Sequence, residues 1–454
     1  MAQDESASDK ADTVETGTVV PPHHDTQAQQ EKRSEAPGTV FPEGGLQAWA
    51  TVAGAFLVQF CGFGYTTSFG VYQDFYVRDY LTNMDSSAIS WIGSVNAFII
   101  IAGGLLAGRL YDRGHFYILM RGGAVMLTFS LFMLSLCKPG KYYQIFLAQA
   151  IGAGIGSGMM YIPSIAVVSH YFHKRRAFAM SIVAAGSSLG AVVHPIMLNN
   201  TLRSHLGFGN AVRASAGLVG GMLTIACLLM HPRLPPPTTH LPFWKSIRRF
   251  VRDPPYVLVV AALTIFTVGF YFPLFYLQLD AVKHGIDETF SFYALVIMNA
   301  SSFVGRLAPG PLANKLGVIN IGTAASGGGA VLILCMIALK SLASVIVIAI
   351  IYGFFAGIFV TMMAPLMAVL TTDLGELGLR MGFGFFIVAF GGLIGPPIHG
   401  ALLTSRFIWW RPALFSGIMA FAGFGFFVAT AVAVRRRDSR AAREEVDADE
   451  KAAH

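Results

Sequence analysis

The feature that most constrains this chain is a series of apolar segments that are almost free of charge. Each is about 20 residues long, which is the length that an α-helix needs to cross the hydrocarbon core of a bilayer. Charged residues make up 13% of the chain, about half of the usual fraction, and the mean hydropathy is +0.59. The sequence therefore predicts an all-α membrane protein that crosses the bilayer many times.

Twelve such segments predict two bundles of six transmembrane helices, 41–230 and 256–434, joined by the proline-rich and basic linker 231–255. The polar N-terminal tail 1–40 is expected to be disordered and carries no signal peptide, and 435–454 form a short C-terminal tail. The predicted helices run from the turn at 41–49 to about 71, and then over about 88–108, 116–136, 143–168, 177–198, 212–230, 256–279, 289–309, 318–339, 343–370, 381–404 and 412–434.

Positive charge predicts the orientation. Lys174, Arg175 and Arg176 form a very short basic turn between predicted helices 4 and 5, and basic turns of this kind favour the cytoplasmic side. With both tails, the linker and this turn inside, 23 of the 32 Lys and Arg residues lie on the cytoplasmic side. We expect a multi-pass protein of the plasma membrane, monomeric in the lipid bilayer, with both tails in the cytoplasm.

The two predicted bundles repeat each other. The pattern Gly108 to Arg113 after helix 2 is matched by Gly310 to Lys315 after helix 8. Tandem halves of six helices are typical of transporters that move one bundle against the other around a site near the middle of the membrane.

A second part of the repeat lies on predicted helices 5 and 11. Gly186, Gly190 and His194 recur at one constant offset as Gly391, Gly395 and His399, a set of six positions that share one pattern. Together with Ala185, the glycines of helix 5 clear one face for close backbone contact with another helix.

These motifs resemble those of a known family. The loop Gly108–Arg113 resembles the signature of the major facilitator superfamily. The Glu43-Gly-Gly turn with Trp49, and the stretch from Tyr171 to Gly190, resemble the paired signatures of its monocarboxylate porter family in the fungal form. The resemblance covers about 42–434 and implies an alternating-access fold in which helices 1, 4, 7 and 10 line a central cavity. It leaves the substrate open, because fungal members are spread over vitamins, organic acids and secondary metabolites.

The chain departs from the carboxylate–proton symporters of that family. Thr67 stands where the resemblance implies a lysine, and Ser302 where it implies an aspartate, while Arg306 matches the family's arginine. Simple lactate–proton symport is therefore doubtful. For Arg306 two alternatives stay open, contact with an anionic substrate or snorkelling of the side chain to the cytoplasmic interface. Asn299, on the same predicted helix, is a further candidate for substrate or coupling contact.

Two further sets of polar residues have possible roles in the transport cycle. Asp112, with Arg113 and Arg109, is predicted to form a conformational lock between helix ends, with Gly108 as part of the motif and Gly310 and Asn314 as its counterparts in the repeat; an ordinary solvated turn is the alternative. His194 and His399 could relay protons because histidine titrates near neutral pH, although histidines bonded to backbone are commoner.

Some prominent tracts have a simpler interpretation. The glycines from Gly152 to Gly158 lie inside an apolar helix, with no preceding strand, and are interpreted as helix-packing sequence rather than a nucleotide-binding loop. The aromatic tract Phe270–Tyr276 and the segment Met159–Tyr161 could line a cavity for a hydrophobic substrate, with core or lipid packing as the alternative. The four cysteines are interpreted as buried apolar residues.

The sequence therefore predicts a secondary active transporter, not an enzyme, with no cofactor and no metal. The substrate is a small organic anion or a hydrophobic secondary metabolite, efflux is favoured, and protons are a candidate coupling ion. Uptake of a monocarboxylate or vitamin-like nutrient and a non-transporting nutrient sensor are the alternatives. No nucleic-acid partner is expected, because the positive charge belongs to loops and tails. Asn199, in an Asn-x-Thr sequence, is the predicted glycosylation site.

Overall fold

The computed structural model describes residues 41–84, 86–202, 204–235, 243–283, 287–339, 341–371, 376–403 and 408–453. The described residues all belong to one compact unit. The predictions of a disordered tail at 1–40 and of its cytoplasmic location concern residues outside the described part.

The described residues fold into a succession of helices, as the apolar segments predict. Helices α1 to α6 form the first half of the chain and α8 to α14 the second half, with the short helix α7 between them. The bounds are α1 Leu46–Tyr80, α2 Ser86–Ala102 continued by Gly104–Asp112, α3 Phe116–Leu134, α4 Tyr142–His170, α5 Arg176–Leu202, α6 Gly207–Leu229, α7 Phe243–Val251, α8 Pro254–Lys283, α9 Glu288–Leu307, α10 Pro309–Leu316, α11 Val318–Ala338, α12 Leu342–Val369, α13 Leu377–Leu403 and α14 Trp410–Ala453.

Eleven helices of the described residues are long and apolar enough to cross a membrane, namely α1 to α6, α8 and α11 to α14. The remaining predicted span, about 289–309, is present as helix α9 but is not in that set. It carries Asn299, Ser302 and Arg306 among its apolar residues. The prediction of twelve spans is thus met by eleven candidate spans and one more polar helix.

Two predicted ends were too early. Helix α1 continues beyond position 71 to Tyr80, with a break at Gly62 and a π-helical last turn. Helix α14 continues beyond position 434 to Ala453. The end of α14 was predicted at position 434 because charged residues follow it. The Ala-, Arg- and Glu-rich sequence beyond that position has high helix propensity, so the helix does not stop where the apolar segment does.

The two halves repeat one packing scheme. Within the first half, α1 packs on α5 and α6, and α3 on α4; within the second, α8 packs on α13 and α14, and α11 on α12. Between the halves, α2 packs on α13, and α5 packs on α9. The internal repeat of the sequence therefore appears as a repeated packing scheme.

Small residues bring α5 directly onto the backbone of α1, as predicted. A Cβ atom added at Gly186 would overlap the carbonyl oxygen of Phe56, and one added at Gly190 would overlap that of Phe60. Only glycine allows the two backbones to lie this close.

The second half uses the same contact. A Cβ atom at Gly391 of α13 would overlap the carbonyl oxygen of Thr264, and one at Gly395 would meet that of Val268, both on α8. The sequence repeat and the predicted packing role of these glycines are both confirmed.

The glycine tract of α4 is also packing sequence. A Cβ atom at Gly156 would lie 2.5 Å from the backbone nitrogen of Leu127, and one at Gly158 would lie 3.0 Å from the carbonyl oxygen of Ile99. The tract lies within the helical segment that ends at His170. The helix-packing interpretation is confirmed.

Glycosylation tests the predicted orientation. Asn199 lies exposed in the last turn of α5, at the end of the helix opposite to Arg176. If the Arg176 end is cytoplasmic, we expect a glycosidase-sensitive mobility shift on gels that disappears in the variant Asn199→Gln.

The matched control is Asn299→Gln. Asn299 is partly buried within α9, and its side-chain amide donates to the carbonyl oxygen of Leu295 over 3.0 Å. This substitution should leave the shift unchanged. A shift that depends on Asn299 instead would overturn the predicted helix assignment.

Candidate functional site

Arg306 lies at the interface of the two halves. Its side chain is 8% exposed, so it does not snorkel to an aqueous surface in this structure. Its Nη1 donates to the carbonyl oxygen of Ala184 over 2.7 Å and to the hydroxyl of Ser187, both on α5. Its Nε has no hydrogen-bond partner among the described residues. A buried guanidinium needs compensating acceptors, and this one keeps a donor available for a ligand.

Ser302 lies one turn before Arg306 and also reaches α5. Ser188 donates a hydrogen bond of 3.1 Å to the hydroxyl of Ser302. On the other side, a Cβ atom at Gly357 of α12 would overlap the carbonyl oxygen of Ser302 and lie 3.0 Å from the backbone nitrogen of Arg306. Close packing on α12 thus holds this part of α9, and the side chains of Ser302 and Arg306 face the first half.

Two tyrosines lie near the guanidinium, and further aromatic rings pack on one of them. Tyr161 on α4 and Tyr271 on α8 lie near Arg306. The Tyr161 ring centroid lies 5.9 Å from that of Phe63 on α1 and 5.9 Å from that of Phe385 on α13. We call these five residues the central site. A buried cation with two tyrosines near it, and with two further rings on Tyr161, suits a ligand that has an acidic group and a flat or apolar body.

The structure divides the predicted aromatic tracts. Phe270 and Phe272 are buried in the second half, where Phe270 packs on Phe359 with ring centroids 5.3 Å apart. Met159 lies against Gly123 of α3. These three residues are core, whereas Tyr161 and Tyr271 belong to the central site.

The other substrate candidates on α1 and α9 do not join the central site by hydrogen bonds. Thr67 is exposed and donates to the carbonyl oxygen of Gly64 over 2.6 Å. Asn299 is bonded to its own helix. Within the described part of the chain, neither side chain is hydrogen-bonded to Arg306, and their roles stay predictions.

Sequence reasoning missed a polar network in the first half. Thr66 donates to the side-chain oxygen of Asn96 over 2.9 Å, and Asn96 donates to the backbone oxygen of Gln149 over 2.7 Å. Tyr76 donates to the side chain of Gln149 over 2.8 Å. Buried amides inside apolar helices were the available signal, since such groups are retained only when they find partners. This network ties α1, α2 and α4 together within the first half.

His194 and His399 are buried, each inside its own half. Both are 0% exposed, and their ring nitrogens have no hydrogen-bond partner of normal geometry among the described residues. His194 packs on Phe60 with ring centroids 4.6 Å apart, and His399 on Phe272 with centroids 5.5 Å apart. The two histidines that repeat in the sequence thus lie in similar apolar and aromatic environments. Their role as proton relays stays a prediction.

Asp112 caps the N-terminus of α13 across the interface of the halves. Its two carboxylate oxygens accept from the backbone amides of Gly378 over 3.0 Å and Leu379 over 2.6 Å. These amides belong to the first turn of α13, where backbone donors have no partner within the helix. A carboxylate is also favourable at the positive end of the helix dipole.

The backbones of α2 and α13 are in direct contact at the same place. A Cβ atom at Gly108 would overlap the carbonyl oxygen of Gly378, so the glycine of the motif is required by close approach. Arg113 is exposed, and the Arg109 guanidinium lies 4.7 Å above the Phe243 ring of α7. The expected contact between helix ends is present, but the partners of Asp112 seen here are amides of the other half rather than the neighbouring arginines.

The repeated motif also lies at the interface. A Cβ atom at Gly310 of α10 would lie 3.2 Å from the Cα atom of Phe178 on α5. Asn314 lies within α10, and its side chain is outside the described part. Both copies of the motif therefore join the two halves.

The basic turn is held by an acidic residue that sequence reasoning noted only as part of a signature. The Glu43 carboxylate accepts from the backbone amides of His173 over 2.7 Å, Lys174 over 2.7 Å and Arg175 over 3.1 Å. It caps the chain just before α5 begins at Arg176. We call this end of the molecule, which also carries Asp112, the basic end.

The comparisons with known proteins agree with this geometry. The family model described as Major Facilitator Superfamily matches residues 51–374. The chain is 40% identical over 384 residues to the aspyridones efflux protein of Emericella nidulans, covering 84% of this chain and 77% of that protein. It is 34% identical over 411 residues to the agnestins efflux protein of Paecilomyces divaricatus, covering 90% and 93% of the two chains.

A solved structure shares the fold. The crystal structure of the transporter FucP in the outward conformation superposes with a TM-score of 0.66 at 14% identity, covering 84% of this chain and 98% of that one. Two halves of packed membrane helices, an internal repeat and the Gly108–Arg113 motif at their interface therefore have a common explanation: the chain belongs to the Major Facilitator Superfamily of membrane transporters.

Proposed function

We propose that this protein exports a small organic acid with a ring-bearing, hydrophobic body, a fungal secondary metabolite, by alternating access. The observation that carries the proposal is the buried Arg306 guanidinium, whose Nε has no hydrogen-bond partner among the described residues. Tyr161 and Tyr271 lie near it, and the rings of Phe63 and Phe385 pack on Tyr161. The positive charge would bind the acidic group, and the rings would pack against the body of the metabolite.

The location of Arg306 explains how binding would couple to movement. The guanidinium bonds α5 of the first half, while its own helix belongs to the second half. An anionic ligand would compete with Ala184 and Ser187 for the same donors. Binding would thus loosen one contact between the halves, which is the differential interaction that a shift between access states requires.

Further observations support the proposed direction of transport and the proposed subfamily. Both relatives described above are named as efflux proteins, which favours export over uptake or nutrient sensing. The Glu43 cap on the Lys174–Arg175 turn joins the two signatures that resemble the monocarboxylate porter family, which supports our proposal that the chain belongs to that family. Ser302 in place of an aspartate separates it from the proton symporters of that family, so proton linkage stays a prediction.

For the location we propose the plasma membrane, with both tails and the basic end in the cytoplasm. The short basic turn and the excess of Lys and Arg residues on that side support this orientation. In this orientation, the basic end is closed by the Asp112 contact and the central site would communicate with the outside.

The proposal is tested by deleting the gene in its source organism and comparing organic acids in cells and medium by mass spectrometry. We expect at least one acidic, ring-bearing metabolite to fall in the medium and rise in the cells, and re-expression of the wild-type chain to reverse both changes. A metabolite that falls inside the cells and rises in the medium would indicate uptake instead.

A further inference from the structure

Helix α7 lies at the level of the membrane surface. After Val251 the chain turns through hydrogen bonds from Arg252 to the backbone oxygen of Arg249 over 3.2 Å and from Asp253 to that of Phe250 over 3.1 Å. The transmembrane helix α8 begins immediately afterwards at Pro254. The C-terminus of α7 is therefore within one helical turn of the start of a membrane span.

One face of α7 is fixed to both halves of the protein. Phe250 is fully buried, and Ser246 donates to the Glu376 carboxylate over 2.9 Å. Arg249 forms an ion pair with the same carboxylate. The Phe243 ring lies under Arg109 of α2. These contacts determine which side of the helix faces outward.

The opposite face is basic, with one large aromatic residue. Trp244 is 77% exposed, and Lys245, Arg248, Val251 and Arg252 are exposed with it. Positions that differ by three, four, seven and eight residues share one side of an α-helix. We call these five residues the outer face of α7.

The positive charges of the outer face are not neutralised by any residue that the structure describes. In contrast to Arg249, the side chains of Lys245, Arg248 and Arg252 form no ion pair with any described residue. Asp253, the nearest acidic residue along the chain, is bonded to Arg380. Three cations beside an exposed tryptophan thus remain available to an anionic partner at the membrane surface.

We infer that the outer face of α7 binds the headgroups of anionic phospholipids. Tryptophan is favoured at the boundary between headgroups and acyl chains, and basic residues next to a membrane span are attracted to anionic lipid. A basic helix with an apolar side chain on the same face suits binding in the plane of the membrane surface. This inference does not depend on the proposed transport activity.

Fluorescence quenching of Trp244 tests the inference in the full-length protein. The protein is placed in phosphatidylcholine nanodiscs that contain the same minor fraction of either dibrominated phosphatidylserine or dibrominated phosphatidylcholine. The signal of Trp244 is the difference between the wild type and Trp244→Phe. We expect the brominated phosphatidylserine to quench this signal at least about twofold more strongly, and the preference to weaken at high salt.

Two charge variants test whether the lipid preference depends on the outer face of α7 or on the total positive charge of the protein. In the variant Lys245→Gln/Arg248→Gln/Arg252→Gln, the two brominated lipids should quench the Trp244 signal equally. The matched control Lys138→Gln/Lys141→Gln/Arg213→Gln removes three exposed charges at other positions and should keep the preference. Equal quenching of the wild type by the two lipids, or no quenching by either, would overturn the inference without reference to any charge variant.

Discussion

Replacing Arg306 by alanine is expected to reduce export strongly while the protein still reaches the membrane. The guanidinium is the one positive charge of the central site, and it donates to Ala184 and Ser187 of the other half. A hydrogen bond to a charged group contributes about 1.5–3 kcal/mol. Loss of this interaction with the substrate should lower the export rate from about tenfold to more than a hundredfold, at 1.4 kcal/mol for each factor of ten.

Three variants make this measurement specific. Arg306→Lys keeps the charge but loses the planar donor geometry, so partial activity is expected. Arg213→Ala removes an exposed arginine of α6, bonded to Asn210 over 3.0 Å, and should export normally. Ser187→Ala removes one contact between the halves while Arg306 remains, and should have a small effect. Wild-type export by Arg306→Ala, at equal amounts in the membrane, would eliminate the anion-binding role.

Replacing Asp112 by asparagine is expected to open the basic end. The carboxylate accepts from two amides of the first turn of α13, and the neutral amide loses both the charge and one acceptor. A carboxylate cap at a helix N-terminus is worth about 1–2 kcal/mol. The ratio of closed to open molecules should therefore fall about 5–30-fold.

Distances between spin labels report this change. Labels at His115→Cys and Lys315→Cys, both exposed and on different halves, are introduced after the four native cysteines have been replaced by serine. In the variant Asp112→Asn, pulsed electron paramagnetic resonance should detect a larger population of long distances between the two labels. The control Asp79→Asn, in the last turn of α1 and away from the basic end, should leave the distances unchanged. A distance distribution that Asp112→Asn leaves unchanged would show that the cap does not hold the halves together.

Periodic features of the sequence predicted most of the fold. Gly186 and Gly190, with Gly391 and Gly395, lie on the backbone of a neighbouring helix as their spacing indicates. Apolar length predicted the helices, because burial in lipid depends on composition over about 20 residues. The end of α14 was predicted wrongly because a charged sequence leaves the membrane without leaving the helical conformation.

The partners of the polar residues were beyond the reach of the sequence. Asp112 bonds Gly378 and Leu379, more than 260 residues away in the chain, and amides carry no side-chain signature. Arg306 was identified from the sequence because a charged side chain within a membrane helix is energetically costly. One of its two acceptors on α5 is the backbone oxygen of Ala184, which no side-chain pattern indicates. Such contacts depend on how the two halves pack, which no local pattern encodes.

The central claim is that Arg306 binds an organic acid on its way out of the cell. It is tested most directly with sealed inside-out membrane vesicles and the acid identified in the deletion strain. Vesicles with the wild-type protein should accumulate this acid, and vesicles with Arg306→Ala should accumulate much less of it. Accumulation that is equal in the two preparations, or that occurs only in right-side-out vesicles, would contradict the account.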